Sequence, residues 1–226
     1  MAEIKNRYPG VIKNGLVSYG GNQMWSDNAA IRKCGCGLVA ALDITLYACR
    51  FHGGGGKLLL AVPAGNTPTP LPVYNKLLIS LWKKYLPVVP PVGINHAVLT
   101  LGLNRLFRDE HIPLKAHVGL ASDKMWDRIE TSLLADLPVI LAIGQNFPYV
   151  WQKNKLSFHV KQPDGRYPAI TAAKAHFVTI TGMDEERLQI SSWGNKYYVN
   201  RIELKQYIKA HSTSFISGIV YMTKET

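Results

Sequence analysis

The apolar residues of this chain change their period once, and that change limits the folds open to it. Up to about residue 136 they recur at helical spacing, as in Leu38, Ala41, Leu42, Thr45, Leu46 and Cys49. The same pattern runs through YNKLLISLWKKYL and INHAVLTLGLNRLFRDE, with Pro87, Pro90 and Pro91 preventing one continuous helix between them. ASDKMWDRIETSLLADLP reads as an amphipathic helix that starts at Ser122 or Asp123 and stops before Pro138. A buried strand, VILAIG, follows. From about Lys155 the period is two: KLSFHVKQ, a PDGR turn, HFVTITGMD, an EER turn, LQISSW and KYYVNR. The helix IELKQYIKA and the strand SFISGIVYM come last. Helices followed by an antiparallel sheet predict an α+β fold. The 226 residues, 47% of them hydrophobic, suit a single domain spanning 1–226, helical over about 1–136 and sheet-like over about 137–226. Gly53 to Pro72 reads as a loop that holds one strand, KLLLAV.

A net charge of +11 raises the question of nucleic acid, but the 26 Lys and Arg are scattered singly or in pairs. No basic arm, zinc finger or recognition helix collects them, so no dedicated nucleic-acid binding is expected. MAEIKNRYPG has no apolar core of a signal peptide, and no apolar run is long enough to span a membrane. A cytoplasmic location is the expectation.

All three cysteines lie in RKCGCGLVAALDITLYACR, and two of them stand two residues apart where an apolar helix begins. Cys34, Cys36, Cys49 and His52 count to four ligands of types that zinc accepts. If residues 36 to 49 form one helix, however, its ends stand roughly 20 Å apart, and one ion cannot bridge them. A Cys34–Cys36 disulfide would close a small, strained ring and is conceivable only as an oxidation product. No metal or other cofactor is therefore expected. A cysteine at a helix N-terminus feels the positive end of the macrodipole, which favours thiolate over thiol. Gly35 and Gly37 on either side let a substrate approach closely. Cys36 thus reads as a nucleophile, or else as a small residue packed at a helix start.

Gly35-Cys36-Gly37 and the small and apolar residues after it resemble the nucleophile segment of papain-like cysteine peptidases. The resemblance is closest to the branch that contains the double-glycine leader peptidases. It implies a papain-like fold, with Gln23 in SYGGNQMW helping to form an oxyanion hole thirteen residues before the cysteine. Of the seven histidines, His176 fits the family pattern: it opens HFVTITGMD, Gly182 follows six residues on, and a hairpin returns. Aligning on Trp193-Gly194 places Ser191 where the family carries an Asn or Asp that orients the histidine, with Asn195 as a nearby substitute. Trp193 resembles the tryptophan that covers that hydrogen bond. The helix–strand unit DRIETSLLADLPVILAIG also recurs in this branch, whereas residues 51–91 match nothing in it.

The resemblance implies a thiol-dependent hydrolase that cleaves a peptide or amide bond. Cys36 would attack, His176 would pair with it and protonate the leaving amine, and Gln23 would steady the oxyanion. The expected partner is a peptide or amide substrate. The replacement of the orienting Asn or Asp by Ser191 also permits a non-catalytic binding or scaffold protein on the same fold. HGGGGKLLL lacks the spacing and the Ser or Thr of a phosphate-binding loop.

Overall fold

The computed structural model describes residues 1–90 and 93–225. Pro91, one of the prolines expected to break the helical region, lies outside the described residues. The chain begins with short strands β1 (Ala2–Glu3), β2 (Val11–Lys13) and β3 (Leu16–Val17), then a 3-10 turn over Gln23–Trp25. Helices α1 (Ala29–Cys34) and α2 (Cys36–Phe51) follow, then β4 (Thr69–Pro70), α3 (Leu71–Lys84) and α4 (His96–Asp109). Next come β5 (Leu114–Leu120), α5 (Lys124–Leu134), β6 (Val139–Ile143), β7 (Leu156–His159) and β8 (Ala169–Ala173). β9 (His176–Met183), β10 (Arg187–Ser192), β11 (Asn195–Asn200), α6 (Arg201–His211) and β12 (Gly218–Lys224) complete the order.

The main sheet runs β5-β12-β6-β9-β10-β11-β7-β8, with β1 added on β9, and its pairings are antiparallel. β6 is buried along its whole length because both faces of the sheet are covered there. Ile140 joins a cluster with α2, α3 and α4. Its neighbours Val139 and Leu141 turn the other way, onto Met125, Ile129 and Leu133 of α5. α2 is buried without a break from Gly37 to Ala48, as expected of a helix that is apolar nearly all round. The fold is mixed α+β with helices on a large antiparallel sheet, as the change of period predicts.

The structure corrects the sequence reading in three places. KLLLAV is not a strand: Leu59–Ala61 forms a 3-10 turn. The partner of β7 is β8, a strand in YPAITAA that the sequence did not single out, rather than the strand that opens at His176. The part read as helical, about 1–136, is not wholly so: β3-β2-β4 makes a small separate sheet, and β5 belongs to the main sheet.

Candidate active site

Gly35 ends α1 and starts α2, and no side chain caps the second helix. The first N–H groups of a helix have no partner within it, so this end carries donors and partial positive charge. Cys36 stands there as the first residue of α2. At Gly37 the next element comes very close: a Cβ would lie 2.8 Å from Ile94 Cγ2 and 3.1 Å from Phe177 Cδ2. The missing side chain lets the start of β9 pack onto the start of α2. Cys36 and His176, 140 positions apart in sequence, therefore line one cleft together with Gln23, Asp43, Phe177, Ser191, Ser192 and Trp193.

His176 opens β9 opposite Ile143 of β6 and is only 9% exposed. Its Nε2 lies 2.8 Å from Ser192 Oγ. The indole of Trp193 stacks on the imidazole at 4.6 Å between centroids and 22° between planes. Trp193 reaches that position from the two-residue turn between β10 and β11, with φ of 49°.

Ser191, expected to orient the histidine, is not the residue that meets it. Its Oγ donates to the carbonyl of Tyr19 at 2.8 Å. Successive residues of a strand point opposite ways, so although both serines border the cleft, only Ser192 is directed at the imidazole. The other candidate, Asn195, donates to the carbonyl of Trp193 at 3.1 Å and does not meet His176 either.

Gln23 begins the 3-10 turn, which Asn22 caps by accepting from the Met24 N–H. One N–H of its amide donates to the Arg32 carbonyl at 2.8 Å. The amide carries a second N–H. The loop that leads to Gln23 is tied to the histidine hairpin in two places. Tyr19 N–H donates to the Gly194 carbonyl at 2.9 Å, and Asn22 Nδ2 donates to the Trp193 carbonyl at 3.0 Å.

Burial dominates the electrostatics and opposes the macrodipole argument. Cys36 keeps part of its surface, but the protein around its sulfur pushes the thiol up. Backbone N–H groups of Phe177, Gly37 and Cys36 favour the thiolate and do not offset that burial. Burial likewise lowers the His176 imidazole to about 4. Desolvation disfavours the charged form of each group, so burial works against a thiolate–imidazolium pair at rest.

Asp43, two helical turns after Cys36, is a member of the cleft that the sequence reading passed over. It is 2% exposed, and burial raises its carboxyl to about 7 although donors from Gly21, Tyr74 and Tyr8 favour the carboxylate. The visible signal is one acid in the otherwise apolar run LVAALDITL.

Cys49 lies near the far end of α2, which is continuous from Cys36 to Phe51, so the four candidate zinc ligands are not gathered around one point. Among the described residues no group of three or more His, Cys, Asp or Glu is placed to hold a metal ion, and no disulfide links the cysteines. The run Gly53–Gly56 follows the C-terminal end of α2, away from the thiol. Among the described residues no helix is long and apolar enough to cross a membrane.

No protein-family model and no curated protein sequence matches this chain. Among solved structures, the fold is similar to that of a candidate C39-like peptidase from Bacillus anthracis. The TM-score is 0.51 with 12% identity, and the match covers 100% of each chain. At that identity the likeness speaks for the fold alone: the chain has a papain-like peptidase fold.

Proposed function

We propose that this protein is a thiol-dependent hydrolase that cleaves a peptide or amide bond through an acyl-enzyme. The observation that carries the reading is the meeting of Cys36 and His176 in one cleft, with the imidazole held by Ser192 and covered by Trp193. With Nε2–H donating to Ser192 Oγ, Nδ1 is the nitrogen left to take a proton. As the sulfur attacks the acyl carbon, the thiol proton passes to Nδ1, so two neutral groups become an ion pair only as the reaction proceeds. The carbonyl π electrons move onto oxygen, where the free N–H of Gln23 and the backbone N–H of Cys36 stabilise the charge. Collapse of this intermediate breaks the C–N bond, and the imidazolium protonates the departing amine. Water, deprotonated by the neutral imidazole, then attacks the thioester and releases the acid and the thiol. An amine in place of water would give acyl transfer. The fold is compatible with the double-glycine leader peptidase branch, whose substrates are peptides.

One observation favours a second reading, a binding protein on the same fold. A serine hydroxyl carries no charge and stabilises an imidazolium less than a carboxylate does. A fluorogenic peptide library separates the two readings. Turnover that disappears in both Cys36→Ala and His176→Ala supports the hydrolase. No turnover by the wild type, together with peptide binding that survives Cys36→Ala, supports the binding protein.

A further inference from the structure

A carboxylate inside an apolar helix is costly unless donors surround it, and the donors around Asp43 come from three distant parts of the chain. Tyr74 Oη of α3 donates to Oδ1 at 2.8 Å. Tyr8 Oη, in the N-terminal segment, lies 3.4 Å from Oδ2. The backbone N–H of Gly21 donates to the same Oδ2 at 2.9 Å. The two tyrosines fix the carboxylate, and the carboxylate in turn holds the loop.

The fit at that loop leaves no slack. A Cβ on Gly21 would lie 1.9 Å from Tyr74 Oη, and one on Gly20 would lie 2.3 Å from Ser191 Oγ and 2.6 Å from Asp43 Oδ2. Gly20 also has φ of 80°, open to glycine at little cost. The Gly20-Gly21 segment is thus clamped between α2 and β10. Asn22, bonded to the Trp193 carbonyl, comes next, and then Gln23. Asp43 and Cys36 are seven residues apart on α2, so they share a helix face about 10 Å apart along the axis. One helix therefore carries the thiol at its end and the anchor of the glutamine loop two turns in.

We infer that Asp43 is a positioning residue: by holding the Gly21 N–H it sets the Gln23 amide at the cleft, and it serves oxyanion stabilisation rather than thiol reactivity. The inference deepens the hydrolase reading and rests on it for the role of Gln23.

The test uses wild type, Asp43→Asn, Gln23→Ala and the double variant, with the near-isosteric Asn chosen to keep the fold. Two rates are read at Cys36. Iodoacetamide is attacked at a saturated carbon and forms no oxyanion, whereas p-nitrophenyl acetate passes through one. Each single variant is expected to acylate at least tenfold more slowly while its alkylation rate stays within twofold. The double variant should be no slower than the worse single one, because both changes remove the same interaction. Acylation and alkylation falling together, or the two effects multiplying, would overturn the inference.

Amide hydrogen exchange decides the point without any activity. Asp43→Asn should speed exchange at Gly21 to Gln23 at least tenfold while the amides of α2 and β9 keep their protection. Unchanged exchange in that loop would overturn the inference. A wild-type protein that alkylates but does not acylate would count against the hydrolase reading and leave the exchange result to judge Asp43.

Discussion

His176 Nε2 lies 2.8 Å from Ser192 Oγ, while the adjacent Ser191 turns to the other face of the sheet and binds the Tyr19 carbonyl. Two neighbouring serines thus have separable duties, one toward the imidazole and one toward the loop that carries Gln23. Ser192→Ala should lower kcat about tenfold or more, with little change in stability, because a neutral hydrogen bond to the imidazole is lost. Ser191→Ala should instead cost about 1 kcal/mol of stability by leaving the Tyr19 carbonyl short of a donor. Turnover and urea midpoints measured on the two variants check the division; equal kinetic losses would contradict it.

The burial of both groups predicts the pH profile of thiol modification. Burial pushes the Cys36 thiol up and lowers His176 to about 4, so no thiolate plateau should appear between pH 4 and 7. The rate of iodoacetamide alkylation at Cys36, followed by mass spectrometry, should rise only at or above the ordinary thiol range near pH ~8.5. A shoulder in the acid range that vanishes in His176→Ala would show an ion pair instead.

Asp43 and His176 should pull the pH dependence of stability in opposite directions. The carboxyl is raised from 3.8 to about 7, so the folded state holds its proton longer than the unfolded one. Its contribution is fully present below pH ~4 and is lost as pH rises through about 7. His176 is lowered from 6.5 to about 4, so its contribution is present above pH ~6.5 and is lost as pH falls toward 4. Asp43→Asn should therefore gain stability relative to wild type between pH 4 and 7, by on the order of 4 kcal/mol in the limit of the full shift. His176→Ala should shift in the opposite sense over the same window. Denaturation curves at a series of pH values test both signs.

Gly37→Ala probes the approach of β9 to α2. The new methyl meets Ile94 and Phe177 closer than ordinary contact, while alanine's higher helix propensity returns up to about 1 kcal/mol. The two effects should leave net stability within about 2 kcal/mol of wild type. Displacing Phe177 moves its neighbour His176 relative to Cys36, and a misplacement of about 1 Å can cost on the order of a hundredfold in rate. A large loss of kcat with a nearly unchanged melting temperature is the expected result, read from kinetics and thermal denaturation on one preparation.

Much of the fold is legible in the sequence because its long elements carry clear periods. The alternating apolar and polar residues in the sequences of β9, β10 and β11 are of this kind, while α2 is marked instead by an apolar run too long for a strand. The strands β1, β3 and β4 have two residues each, too few to show a period at all. β8 reads AITAA, and alanine has little strand preference to mark it. KLLLAV is apolar enough for a strand, yet a short apolar run does not distinguish strand from helix, and this one coils into a turn.

The site divides along similar lines. The positions of Cys36 and His176 follow from motif and element order, and the structure brings both to the cleft with Gln23. Choosing between Ser191 and Ser192 requires knowing which face each takes, and a register of one residue inverts the answer. The importance of Asp43 depends on Tyr8, Gly21 and Tyr74, which no local pattern connects. Its pull on the loop and the effect of burial on the thiol both arise only once the chain is packed.

The indole stacked on His176 makes the site its own optical probe. A protonated imidazole withdraws excited-state electron density from a neighbouring indole far more than a neutral one does. With the other four tryptophans replaced by phenylalanine, the emission of Trp193 would trace the charge on the imidazole directly. The protonation state of the histidine could then be followed in the resting protein, and again as an acyl group arrives on the sulfur.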